Sequence, residues 1–128
     1  NASITSSFSQ GSMLASDNPF AFAISGDGFF GIKGSDGNTY YTRNGNFQLG
    51  LGTSGGLELS TTDGERVLDT EGKPIIFDKT MTASNITISS DGELMYPDEA
   101  GNPKGLGVKI GLYQFNNPSG LEKHAGSL

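Results

Sequence analysis

The sequence predicts an all-β domain: antiparallel hairpins gathered into an irregular barrel- or sandwich-like body with little helix. Three observations lead there. Turn dipeptides recur along the chain, at Asp27-Gly28, Asp36-Gly37, Asn44-Gly45, Gly55-Gly56, Asp63-Gly64, Glu71-Gly72 and Asp91-Gly92. Between 27 and 72 they come about every eight to ten residues, the spacing of short antiparallel strands. The stretches between them alternate apolar and polar residues, and helical apolar spacing never persists beyond about two turns.

The elements follow in order. Residues 1–17, rich in serine, read as an extended segment. A hairpin turning at Asp27-Gly28, with positive φ supplied there, puts Phe22, Ile24 and Phe29 on one face and Ala23, Phe30 and Ile32 on the other. Both faces are apolar, so other elements are expected to cover both. A two-residue type I′ turn at Asn44-Gly45 sets Thr42 opposite Phe47 and Tyr40 opposite Leu49. Tyr40, Thr42, Phe47 and Leu49 then form an apolar face, and Tyr41, Arg43, Asn46 and Gln48 a polar one, across which Arg43 is expected to pair. The stretch "GLGTSGG" (50–56) reads as a flexible loop. Further strands are expected at 56–60, 66–68, 74–77, 85–89, 93–96 and 108–115, with Asp91-Gly92 as the turn between two of them. Residues 96–107 read as a long polar loop.

Composition narrows the function. The 128 residues suit one domain. With 14 acidic and 8 basic side chains the net charge is −6, the wrong sign for nucleic acid or an anionic membrane surface. There is no cysteine, hence no disulfide or thiolate chemistry. No apolar run approaches the roughly 18 residues of a membrane span. The chain opens without methionine and closes without a terminal signal, which reads as a piece of a longer protein.

Catalytic constellations are missing from the sequence. "GDGFFG" (26–31) spells G-x-G-x-x-G, but a dinucleotide site needs a helix after the last glycine, and "IKGSDG" follows instead. A single histidine, His124, builds neither a triad nor a multi-histidine metal centre. No window has the ligand spacing of an EF-hand; Asp98, Glu99 and Asn102 make at most an improvised cation site. Asp27, Asp36, Asp63, Glu71 and Asp91 precede glycines at turn tips, where exposure keeps a carboxyl too acidic for general-acid work. The expectation is a non-enzyme without cofactor or metal.

Five ordered motifs resemble the axial proteins of the bacterial flagellum, the rod and hook proteins. They are "DNPFAFAISGDGFFGI" (17–32), "YTRNGNFQL" (41–49), "GERVLDTEGKPI" (64–75), "ITISSDGEL" (86–94) and "IGLYQFNNPSGLEKHAGSL" (110–128), preceded by "FSQGSM" (8–13). Ala21 departs from an acidic residue common in that family, and "GLGTSGG" from a shorter turn. The short 93–108 interval resembles a rod protein more than a hook protein, whose outer domains are inserted there. The resemblance implies a structural subunit, exported through the flagellar export apparatus, that polymerises with copies of itself and other axial proteins into a torque-transmitting tube of the basal body around the export channel. Surrounding ring proteins are further neighbours that the resemblance implies. It further implies a β-domain at 18–121 and a segment, 122–128, leading to a terminal helix outside the sequence, without which the isolated domain should be a monomer. The proline-marked stretches Asn18, Pro19 and Asn117, Pro118, Gly120, Leu121 would be the joints between the domain and terminal helices. The alternative is a secreted β-domain that binds carbohydrate or a host surface.

Overall fold

One hydrogen-bond pattern closes six successive reversals of the chain. In each, a residue donates its N–H to the carbonyl four positions on, and the glycine three positions on donates back to the first residue's carbonyl. The pattern occurs at 34–38, 52–56, 61–65, 69–73, 89–93 and 98–102. Gly37, Gly55, Gly64, Gly72, Gly92 and Gly101 hold φ between +81° and +91°, a conformation that Cβ disfavours by about 1 kcal/mol or more. This is a type I turn followed by a left-handed residue, the three-residue hairpin loop. Four turns are also capped from their first side chain. Thr61, Asp69, Ser89 and Asp98 each accept N–H bonds from residues two or four positions ahead, the local competition for backbone donors that favours these residue types in turns.

The computed structural model describes residues 3–6, 13–15, 18–53 and 55–116. Its strands are β1 (Ser3–Ser6), β2 (Met13–Ala15), β3 (Ala21–Ile24), β4 (Phe29–Lys33), β5 (Thr39–Thr42), β6 (Gly45–Leu51), β7 (Leu57–Thr61), β8 (Arg66–Val67), β9 (Thr87–Ile88), β10 (Glu93–Pro97), β11 (Pro103–Lys109) and β12 (Leu112–Asn116). All pairings among them are antiparallel. A nine-stranded sheet is organised around β4. Phe30 faces both Thr42 and Leu112, and Ile32 both Tyr40 and Val67. Hence β5 runs along one edge of β4, while β12 and β8 lie end to end on the other. From β8 the sheet continues through β7, β6 and β3 to β2, and β1 pairs with β12. It does not close into a barrel. A second sheet, β9–β10–β11, is a meander.

Both sheets share one core. Phe22, Ile24, Phe30, Ile32, Phe47, Leu59, Val67 and Leu112 of the large sheet pack with Ile86, Leu94 and Ile110. At its centre the rings of Phe30 and Phe47 meet edge to face at 4.9 Å, a preferred aromatic geometry. Residues 74–77 wedge between β7 and β8, which pair at Ser60 and Arg66 alone. There the Ile75 N–H donates to Val67 O and the Leu59 N–H to Ile75 O, both at 3.1 Å. This delivers Ile75 and Phe77 to the core.

Several expectations need correction. Asp27-Gly28 closes no hairpin: β3 pairs with β2 and β6, never with β4. Gly26 and Gly28 carry positive φ, and Asp27 does not. The chain kinks there, so Phe22, Ile24, Phe30 and Ile32 all reach the same core, and Ala23 is exposed. Asn44-Gly45 is no type I′ turn either. Neither residue has positive φ, Gly45 begins β6, and β5 and β6 are not paired. Phe47 and Leu49 do face inward and Asn46 and Gln48 outward, but Tyr40 is 50% exposed. The supposed loop 96–107 is largely the β10–β11 hairpin, whose polar residues face water on both faces. Within 50–56 the first two residues extend β6 and the turn is 52–56. Residues 74–77 make single bridges, the first through Pro74, which has no N–H to give a ladder. The strand at 85–89 shrinks to Thr87–Ile88 after a 3-10 turn at Ala83–Asn85. The one at 108–115 breaks at 110–111, where the chain passes from the small sheet to the large one. Asp91-Gly92 is a turn as expected.

Candidate functional site

One junction joins the first two sequence motifs, 17–32 and 41–49. Arg43 follows β5 and reaches back to the kink after β3. Its Nη1 donates to Gly26 O (2.6 Å) and Gly28 O (2.8 Å), and its Nη2 to Ile24 O (3.4 Å). A guanidinium presents a rigid fork of donors, so one side chain gathers three carbonyls that the kink turns toward it. Ahead of β6, the Asn44 N–H donates to Thr42 Oγ1 and the Asn46 N–H to Asn44 Oδ1, both at 3.0 Å. Gly45 then faces Phe22 across the β3–β6 pair. A Cβ there would lie 2.2 Å from Phe22 O and 2.8 Å from the Phe30 ring. Gly45 is therefore required for close approach and not for a turn angle. Sequence reasoning expected Arg43 to pair across its own sheet face; no local signal points to carbonyls 15 to 19 residues upstream.

A second seam ties β12 to the 69–73 turn. Gly111 lies so near Asp69 that a Cβ would sit 2.4 Å from Asp69 O. The Tyr113 hydroxyl donates to that same carbonyl. Burial, with Asp69 nearby, pushes the Tyr113 phenol up to about 12. Tyr113 also belongs to a ring cluster on the side of β4 away from the core: Tyr41 lies 5.6 Å from Tyr113 and 4.9 Å from Phe115, which is 5.6 Å from Phe29. Burial raises the Tyr41 phenol as well. Near the 52–56 turn, the buried Glu58 pairs with Arg66 at 3.2 Å, and Arg66 Nη2 donates to Thr53 Oγ1 at 3.3 Å. That stretch is anchored, where composition suggested flexibility. On the surface the Tyr40 hydroxyl donates to Asp36, which lowers the Asp36 carboxyl and raises the Tyr40 phenol.

The expected joint residues are partly in view. Asn18 and Pro19 are exposed and begin a turn into β3, in which Asn18 Oδ1 accepts the Phe20 N–H and Asn18 O the Ala21 N–H, each at 3.0 Å. Asn117, Pro118, Gly120 and Leu121 lie outside the described residues, as does His124. Asp98 Oδ1 is engaged by the N–H groups of Ala100 and Asn102 within its turn. Among the described residues no group of three or more His, Cys, Asp or Glu side chains could hold a metal, and no helix is long and apolar enough to cross a membrane. After Gly31 the chain continues as β4, so "GDGFFG" opens no helix for a phosphate. The junction's chemistry is structural: charge-assisted hydrogen bonds and close backbone contact.

The Arg43 junction and five of the six turns fall inside the span matched by the family "Flagellar hook protein FlgE/F/G D1 domain", residues 23–96. The flagellar basal-body rod protein FlgG of Borreliella burgdorferi is 34% identical over 94% of this chain and 43% of its own length. The rod protein FlgF of Mesorhizobium japonicum is 34% identical over 91% of this chain and 43% of its own. FlgG of Buchnera aphidicola subsp. Acyrthosiphon pisum is 33% identical over 88% and 40%. The chain thus spans about two fifths of the length of these curated relatives. No solved structure matches it. The matched span contains the kink, the arginine that holds it and Gly45, and the chain belongs to the flagellar hook FlgE/F/G D1 domain family.

Proposed function

We propose that this chain is the β-domain of a structural, non-catalytic subunit of the flagellar basal-body rod, which assembles with copies of itself and other axial proteins into a tube that carries torque. The observation that carries this reading is the family match over residues 23–96, together with relatives whose names are those of rod proteins. Those names favour the rod over the hook and give the carbohydrate-binding alternative no support. The domain suits such a role physically. Its core is shared by both sheets, and an ion pair and side-chain clamps hold its turns and kink, so it can pass on load without large internal rearrangement. Asn18 and Pro19, and Asn117, Pro118, Gly120 and Leu121, serve as joints to the rest of the subunit. The capped turn at Asn18 supports this at the first of them.

Deletion of the gene, followed by electron microscopy of cells and purified basal bodies, tests the reading. Arrest at an incomplete rod is the expected outcome. Complete rods without hooks would make the protein a hook component, and normal flagella would overturn the axial role. At the joint, exchanging Asn117 and Pro118 for alanine should impair assembly more than folding. Equal loss of both would remove the joint.

A further inference from the structure

The outer face of the large sheet carries a cleft of about 630 Å³ between the 34–38 and 61–65 turns. Its floor holds Lys33 and Arg66, which face each other across the β4–β8 pair. Like charges in that position repel. Arg66 is compensated by Glu58 at 3.2 Å, whereas Lys33 enters no ion pair among the described residues. The wall formed by the 61–65 turn carries the opposite sign, with Asp63 and Glu65. The cleft is therefore polarised, cationic below and acidic along one side.

A matching arrangement lies elsewhere on the surface. Residues 98–104, the tip of the β10–β11 hairpin, are all exposed. Asp98 spends a carboxylate oxygen on its own turn. Glu99 beside it and Lys104 on the returning strand enter no ion pair among the described residues. The tip thus offers a free carboxylate at its end and an ammonium on its flank.

Resting on the reading of the chain as a polymerising subunit, we propose that the cleft receives the 98–104 tip of a second copy of this chain, with Glu99 against Lys33 and Lys104 against the Asp63–Glu65 wall. The two surfaces lie on different parts of one subunit, so the contact is head-to-tail. Such contacts propagate from one subunit to the next, into a ring where the rotation closes and into an open helical assembly where it does not. Charge complementarity of both signs fixes the orientation in which the tip enters.

The test uses the full-length protein in cells, in place of the native copy, with Lys33→Cys and Glu99→Cys introduced into a stretch that has no cysteine. Basal bodies are purified and treated with a short linker that bridges two thiols. A ladder of linked subunits from the double variant, absent from either single variant and from Lys33→Cys with Glu71→Cys, is expected. In parallel, Lys33→Glu and Glu99→Lys should each reduce assembled protein several-fold, and the two together should restore most of it. Assembled basal bodies that contain the protein but yield no ladder and no restoration would overturn the contact and leave the rod reading standing. Absence of the unsubstituted protein from basal bodies would overturn both.

Discussion

Two kinds of glycine-marked bend share the same letters and work by different physics. The six hairpin turns are settled within five residues. A left-handed glycine, two backbone hydrogen bonds and often a capping side chain all lie inside the turn. The bends at 24–28 and 43–45 close nothing by themselves. The first is held by Arg43 from 15 to 19 residues away, and the second exists so that β6 can press on Phe22 and Phe30. The difference teaches that a dipeptide such as Asp-Gly or Asn-Gly specifies a need for backbone freedom or for space, and only its partners decide which.

The sharpest break in this comparison is at Gly45. Gly45→Ala must displace Phe22 O or the Phe30 ring, and is expected to cost about 3 kcal/mol in urea unfolding. Next comes the clamp. Arg43→Met should cost about 2 kcal/mol, because bonds donated by a charged group are worth more than neutral ones. It should also speed amide exchange along 25–29, and Arg43→Lys should recover only part of the loss, since an ammonium lacks the fork. Gly64→Ala isolates the other kind of bend. Nothing lies within 4 Å of its Cβ position, so only the +86° φ opposes it, at about 1 kcal/mol. Thr61→Val keeps the shape of that turn but removes the acceptor of the Asp63 and Glu65 N–H groups, for about 0.5–1 kcal/mol. The smallest effect is electrostatic. The Tyr40 hydrogen bond holds the Asp36 carboxyl below its ordinary 3.8. A depressed carboxyl adds stability above its unfolded value, and that stability is lost as pH falls through the folded one. Tyr40→Phe should move the Asp36 titration, followed by NMR, back toward 3.8 and flatten this slope.

The same division explains what could be read in advance. The all-β class, the turns at Asp36-Gly37, Asp63-Gly64, Glu71-Gly72 and Asp91-Gly92, and the strands read at 56–60 and 93–96 and found at Leu57–Thr61 and Glu93–Pro97 were legible because their causes are local. The hairpin at 96–107 was not. With Pro103 and Lys104 on its return and a bulge near Gly107, its strand follows no clean alternation. The β3–β6 pairing and the Arg43 clamp were also hidden, since the alternation at 40–49 fits a hairpin as well as two strands with different partners. The motifs that carried the family resemblance mark this very junction, so the resemblance pointed to residues whose purpose the pattern alone left dark.

The recurrence of one turn has a consequence in time. Hairpins β4–β5, β6–β7, β9–β10 and β10–β11 each close a short loop and can form within microseconds. The β3–β6 and β12–β4 pairings join distant stretches and must wait for the loop-closure entropy to be met. A chain delivered from its N-terminus would thus make its hairpins one by one, hold β1 and β4 unfinished, and lock last when β12 arrives between them, beside Phe29 and Phe30. Residues 110–116, far down the chain, act as the latch that turns a row of independent hairpins into a rigid body.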